Sequence, residues 1–389
     1  IIIDALIPQH TFFFFLTDEI SKQKISNIFF DVHLHIHTYL HIHPYSCKYL
    51  LHLSLNKNQI FNIKPSKIMT TLFPTYIDDK ALAQDLILSQ FDNFLIDCDG
   101  VIWLSEQLLP KVNQFLQFLT KNNKRFTFVT NNSSKSRQSY VTKFKNLGID
   151  GVTIDQIYTT GYSAVLQLKK MGILPGEKIW VLGDEGIEDE LLSEGYIPLG
   201  GSNELLNQSW SDKNPLLIID PEVRAVIAGS TLNFNYMRIA TTLQYLMHND
   251  KTLPFIGTNG DRNYPGSNGL TLPAGGSMVE YMAYSSQRDY VNVGKPDTTL
   301  AETILANTGY DKLKTIMIGD TLYSDIKFGN EAQLGGDNGN GTLLVLSGVT
   351  DKEELTNTVN IARETKQGQS LVPRYYIDSL TKLIELLEE

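Results

Sequence analysis

Cysteine is almost absent from this 389-residue chain, which has only Cys47 and Cys98. Two thiols cannot staple a fold of this size. Cys98 also sits inside a carboxylate-rich segment that a disulfide would disrupt, so the expected setting is a reducing one, cytoplasmic or also nuclear. Long apolar runs are missing too. Phe12–Leu16 falls far short of the roughly 18 residues of a membrane span. Asp18 and Glu19 follow it closely, and no basic leader precedes it as in a secretory signal. Basic residues are the minority, with 33 Lys and Arg against 43 Asp and Glu, a net charge of -10. That argues against a general nucleic-acid or anionic-membrane binder. An anionic small substrate stays open, because a bound cation and one lysine can reverse the sign locally.

The first 68 residues lack Gly, Arg and Met, yet hold seven of the eight His. The first methionine is Met69. Residues 1–68 read as translated upstream sequence or an optional leader, with Met69 as the start; intact mass of the native protein checks this. Within them His33, His35 and His37, then His41 and His43, alternate with other, mostly apolar residues. A strand would place these imidazoles on one face as a metal patch. Chance composition in unselected sequence is the preferred reading.

From Met69 onward short apolar runs alternate with helical patterns, the signature of an α/β fold. Phe94-Leu95-Ile96 and Phe126–Val129 read as buried strands. Pro110 is expected to open a helix with Val112, Phe115, Leu116 and Leu119 on one face. A second helix carries Tyr140, Val141, Phe144 and Leu147 and stops at Gly148. A unit with its own strands and helices starts near Ile179 and reads as an inserted second domain. Tyr290–Val293, Thr315–Ile318 and Thr342–Leu346 are expected to return to the first. The expected division is therefore 69–174 and 291–389 for the first domain and 175–290 for the insertion. Residues 337–341 read as a surface turn.

Four segments carry chemistry. Asp97-Cys98-Asp99-Gly100-Val101 follows an apolar strand, and parallel-sheet enzymes place their sites at the carboxyl ends of strands. Two carboxylates one residue apart can divide the work of displacement, one attacking phosphorus and the other moving a proton; a solvated turn is the plain alternative. Thr130-Asn131-Asn132-Ser133 ends the next strand, where a hydroxyl and backbone N–H groups suit a phosphoryl group or simply cap a helix. Gly294-Lys295-Pro296 puts a lysine at a helix start. Gly319-Asp320, with Asp325 five residues on, offers hard oxygen donors for a cation. Leu182-Gly183-Asp184 with Asp189 repeats that last pattern, and is assigned to a structural strand end.

Taken in order, these segments resemble the haloacid dehalogenase superfamily of aspartate-nucleophile phosphatases. Asp97–Trp103, Thr130–Arg137, Phe234-Asn235-Tyr236, Gly257-Thr258-Asn259, Tyr264-Pro265 and Gly276-Ser277-Met278 resemble its eukaryotic 4-nitrophenylphosphatase and phosphoglycolate phosphatase branch, from about Phe73 to the end. The resemblance implies a Rossmann-like, doubly wound parallel core with a large α/β cap of the C2 type inserted between the second and third motifs. It implies Asp97 as nucleophile and Asp99 as general acid and base. Mg²⁺ would be held by the Asp97 side chain, the Asp99 backbone carbonyl and Asp320, with Asp325 in support. Thr130, Asn131, Asn132 and Lys295 would hold the phosphate. It further implies small phosphorylated metabolites as substrates, with neither nucleic acid nor membrane as partner, and homodimers through the cap. Two departures stand out. Thr321 and Tyr323 occupy positions where relatives often carry Arg and a polar or acidic residue, and Ala228–Leu232 replaces a stretch often containing Phe and acidic residues. Competing functions are a phosphoprotein phosphatase and a catalytically silent phosphate-binding scaffold. Cap residues Asn259, Asp261 and Arg262 are candidates for lining the opening.

Overall fold

The computed structural model describes residues 73–265, 270–336, 340–365 and 368–388. Residues 1–72, with the segment expected to be a leader and its histidine alternation, and residues 337–339 of the expected turn lie outside them. Along the chain the strands are β1 (Thr75–Tyr76), β2 (Asn93–Ile96), β3 (Trp103–Leu104), β4 (Gln107–Leu108), β5 (Arg125–Thr130), β6 (Ile157–Thr159), β7 (Lys178–Leu182) and β8 (Ile197–Gly200). They continue with β9 (Val223–Ala228), β10 (Phe255–Gly257), β11 (Asn263–Pro265), β12 (Thr271–Pro273), β13 (Val291–Asn292), β14 (Thr315–Gly319), β15 (Thr342–Val345) and β16 (Tyr375–Ile377).

The larger sheet runs β1-β16-β15-β14-β2-β5-β6, every pair parallel. β2 is its switch point. The chain leaves toward β5 and β6 on one side and returns through β14, β15 and β16 on the other. Such a reversal opens a crevice at the carboxyl ends of the strands. The strands there are mostly apolar, as in the Phe94-Leu95-Ile96 run of β2, because helices cover both faces. Phe94 and Ile96 cluster with Phe115, Phe144 and Leu383, while Leu95 clusters with Val129, Met317 and Phe328. The helix Val112–Lys121 buries Val112, Phe115, Leu116 and Leu119, the spacing of one helical face. Pro110 stands outside it, and Lys111, at φ 58°, is the N-cap.

A second sheet, β13-β10-β9-β7-β8, is also parallel throughout. Ile179 and Val181 cluster with Ala164, Val165 and Leu168, and Trp180 and Leu182 cluster with Tyr245 and Leu246. The sequence placed Tyr290–Val293 in the first domain; the structure corrects this. Val291 and Asn292 pair with Ile256 and Gly257 at the edge of the second sheet. A run of four residues cannot specify which sheet it joins; that is settled by its long-range partner. The helix Thr160–Lys170 serves both sheets. Ala164, Val165 and Leu168 pack under the second, while Tyr162 and Leu166 pack against the first. Among the described residues no helix is long and apolar enough to cross a membrane.

Candidate active site

Asp97 is the first residue beyond β2, and its N–H donates to the Ile318 carbonyl of β14 (2.9 Å), which fixes it at the switch point. Its Oδ1 accepts from Lys295 Nζ at 2.5 Å. That ammonium also donates to Asp325 Oδ1 (2.7 Å) and to the Val129 carbonyl (2.8 Å). Its three protons are thereby matched by three acceptors, and Lys295 is only 2 % exposed. Asp325 uses its other oxygen to accept from the Asp320 and Thr321 N–H groups (3.1 and 3.0 Å). Asp320 in turn accepts from the Val349 N–H (2.7 Å) and the Thr321 hydroxyl (3.1 Å).

Three glycines make this density of carboxylates possible. A Cβ on Gly319 would lie 2.2 Å from the Asp325 side chain, and one on Gly348 would lie 1.8 Å from Asp320 Oδ2. Gly100, at φ +84°, would place its Cβ 2.2 Å from the same oxygen. The loop after β15, Ser347-Gly348-Val349, was missed in the sequence. Its only cue was a Ser-Gly pair at the carboxyl end of another apolar strand.

Electrostatically the cluster is short of positive charge. Burial, then the neighbouring Asp325 and Asp320 charges, push the Asp97 carboxyl well up, against the pull of Lys295. Burial followed by the Asp325 charge pushes Asp320 up to about 7. Burial works against the Lys295 ammonium, but Asp325 and Asp97 outweigh it and raise its pKa. Three buried carboxylates facing one ammonium leave surplus negative charge, which a divalent cation would neutralise. Asp97, Asp320 and Asp325 offer oxygens all within 4.8 Å of one another. Asp325 accepts three of the hydrogen bonds just described, Asp320 two and Asp97 one, so Asp97 and Asp320 keep the most lone pairs for a hard cation, and the residues present fit one.

The Thr130–Ser133 segment adjoins this cluster. Asn132 N–H donates to Thr130 Oγ1 (3.1 Å), closing a turn at the end of β5. Asn131 differs from the expectation in its side chain. Its amide accepts from Lys295 N–H (2.8 Å) and donates to the Lys295 carbonyl and Asp261 Oδ2 (both 3.0 Å), so it braces the lysine loop. Two residues of the second sheet's loop reach this point. Asn259 donates to the Asn131 carbonyl (3.1 Å), and burial raises the Asp261 pKa. Arg262 is exposed.

Asp99 is exposed and is not one of the three clustered carboxylates. Its Oδ1 accepts from the Trp103 indole N–H at 2.8 Å. A cleft of about 660 Å³ lies close by, lined by Glu106, Lys135, Lys143, Glu185 and Asp189 among others. It borders the Ser134–Ser136 turn rather than the carboxylates. Asp184 stands outside the cluster as the N-cap position of the helix Glu185–Ser193 in the second sheet, and Asp189 accepts from Ser136 Oγ (3.1 Å).

Sequence and structure comparisons agree on one kinship. Family descriptions match at residues 94–197 (haloacid dehalogenase-like hydrolase), 186–333 (haloacid dehalogenase-like hydrolase) and 292–383 (HAD-hydrolase-like). A 4-nitrophenylphosphatase of Schizosaccharomyces pombe is 36 % identical over 300 residues, 77 % of this chain and 95 % of that protein. Phosphoglycolate phosphatase 2 of Arabidopsis thaliana is 34 % identical over 302 residues, 78 % of this chain and 95 % of that one. The crystal structure of a 4-nitrophenylphosphatase from Thermotoga maritima superposes with a TM-score of 0.60 at 28 % identity, covering 77 % of this chain and 99 % of that one. The chain therefore belongs to the haloacid dehalogenase-like hydrolases, in the branch of the 4-nitrophenyl- and phosphoglycolate phosphatases, and is a phosphoric monoester hydrolase.

Proposed function

We propose that the protein hydrolyses small phosphorylated metabolites of the 2-phosphoglycolate kind, and 4-nitrophenyl phosphate in vitro, through a phospho-aspartate on Asp97 with Mg²⁺ as cofactor. The observation that carries this is the carboxylate of Asp97 at the switch point, bonded to Lys295 and within reach of Asp320. An Asp97 oxygen attacks phosphorus, the Asp97–phosphorus bond forms, and the ester P–O bond breaks. Asp99 gives its proton to the departing oxygen. It then takes one from the water whose oxygen displaces Asp97 and releases inorganic phosphate.

Lys295 offsets the charge of Asp97 and of the entering phosphate, and Asp325 holds that lysine in place. Thr130 to Asn132 border the same end of the sheet, where a hydroxyl and backbone N–H groups suit the transferring phosphoryl oxygens. Asp97 and Asp320 would hold Mg²⁺, with the Asp99 carbonyl as a further donor. The cation supplies charge neutralisation for the transferring group.

The test is hydrolysis of 2-phosphoglycolate and 4-nitrophenyl phosphate, with and without Mg²⁺, by wild type and Asp97→Asn. Mass spectrometry of acid-quenched enzyme accompanies it. Phosphate on the Asp97 peptide and a dead variant are expected. Turnover by Asp97→Asn at the wild-type rate would refute the nucleophile.

A further inference from the structure

We infer that Trp103 is a positioning residue for the proton-transfer step: its indole N–H holds Oδ1 of Asp99 and leaves Oδ2 to carry the proton. This rests on the reading of Asp99 as general acid and base. The sequence reading gave Trp103 no task beyond family likeness.

The local chain folds to make this contact. Gly100 turns the backbone at φ +84°, its N–H donates to the Trp103 carbonyl (2.8 Å), and the Ile102 N–H returns to the Cys98 carbonyl (2.8 Å). Four residues after Asp99, the chain thus comes back beside it. The ring is then fixed from several sides. Trp103 is fully buried, stacked on Tyr140 at 5.9 Å and set edge-on to Phe144 at 5.0 Å. The Lys143 ammonium lies 4.2 Å from the ring centre and donates to the Ser105 carbonyl (2.9 Å), tying the β3–β4 ribbon to the same ring. A ring clamped in this way aims its N–H in one direction.

Asp99 itself is exposed. Freed from the indole, its carboxylate would be solvated by water and would sample several rotamers. The bond therefore contributes less to holding the fold than to choosing one orientation for a group that must meet the leaving oxygen and then the attacking water. An indole N–H only donates. It can keep Oδ1 in both halves of the reaction, whether Oδ2 bears the proton or has given it up. Misplacement of an acid or base by an ångström weakens its contribution steeply.

Trp103→Phe keeps the ring packing and deletes the donor. On 2-phosphoglycolate, whose alkoxide leaving group needs a proton, kcat should fall by roughly 10- to 100-fold with KM unchanged. 4-Nitrophenolate leaves without a proton, so that substrate should give a burst of about one equivalent per site, then slow turnover limited by the water step. Trp103→Phe combined with Asp99→Asn should be no slower than Asp99→Asn alone. Wild-type turnover without a burst from Trp103→Phe overturns the inference, as does an equal loss on both substrates with a raised KM. Asp99→Asn separates the two levels. Wild-type rates there overturn the acid–base assignment and this inference together, whereas a slow Asp99→Asn beside a normal Trp103→Phe overturns the inference alone. If Trp103→Phe loses native circular dichroism, 3-benzothienylalanine at position 103 replaces the N–H by sulfur in the same ring shape and gives the same readings.

Discussion

The two sheets each contain a strand ending in Gly-Asp with another Asp five residues on, and the two copies have different fates. After β14, Asp320 and Asp325 are 2 % and 1 % exposed and share a cluster with Lys295. After β7, Asp184 is half-buried and Asp189 is exposed, bonded to a serine. The difference lies first in the turn that follows. Asp184 leads directly into the α-helix Glu185–Ser193. On an α-helix, residues three and four apart are neighbours and the fifth points elsewhere. Beyond Asp320 the chain takes a wider turn, Leu322–Ile326, in which the Ile326 N–H reaches back to the Thr321 carbonyl. That extra width returns the Asp325 carboxylate to the Asp320 N–H. The second difference comes from far along the chain: only β14 has a lysine and a glycine-bearing loop delivered over its end. Identical local patterns acquire chemistry only where other segments converge.

The largest expected contrast is in turnover. Asp320→Asn should lower Mg²⁺-dependent hydrolysis by roughly a thousandfold, the several kcal/mol that a cation contributes to such a reaction. Asp184→Asn should stay within about twofold. Equal losses in a 4-nitrophenyl phosphate assay would break the comparison.

The next contrast is in stability. Near β7 the buried ion pair is Arg137 with Glu190, at 2.8 Å, and it joins the two sheets' helices. Arg137→Met should destabilise the fold by about 3 kcal/mol, the low end for removing one partner of a buried pair. Burial already raises the Glu190 pKa, so the orphaned carboxyl escapes by taking up a proton. The loss should shrink as pH falls. Denaturant melts at two pH values measure both features.

The smallest effect expected is in metal affinity. Asp320, pushed up to about 7 in the cation-free site, must shed a proton to bind metal. Below that pH protons compete, and Mg²⁺ affinity should fall by up to about tenfold per pH unit. Above it the affinity should level off. Calorimetric titrations in buffers of different ionisation heat would detect the released proton, and a flat profile from pH 5 to 8 would remove this distinction between the two aspartates.

The strands and the residues at their ends were legible because a buried parallel strand is a short continuous apolar run, and the switch-point rule assigns its carboxyl end to ligands. Asp97, Lys295, Asp320 and Asp325 were singled out on those grounds and for their motif order, and the structure brings all four together. Contacts made at a distance were not legible. The Asn131 amide bracing Lys295 spans 164 residues, and the Val349 N–H on Asp320 spans 29. The edge strand β13 was misplaced because two paired residues carry too little pattern to name their neighbour. Trp103 was read only as part of a motif likeness, because a buried indole shows its donor only once the acceptor is in place.

The helix Thr160–Lys170, packed under one sheet and against the other, bears on how such proteins can be recombined. Exchanging the segment between the two halves of the larger sheet for that of a relative would remove Glu190 from Arg137, Thr258 from Ser133 and Asp261 from Asn131. It would also strip half the packing from that helix. Chimeras with borrowed specificity should therefore carry the donor's Thr130–Lys170 stretch with the insert, as a single heritable block.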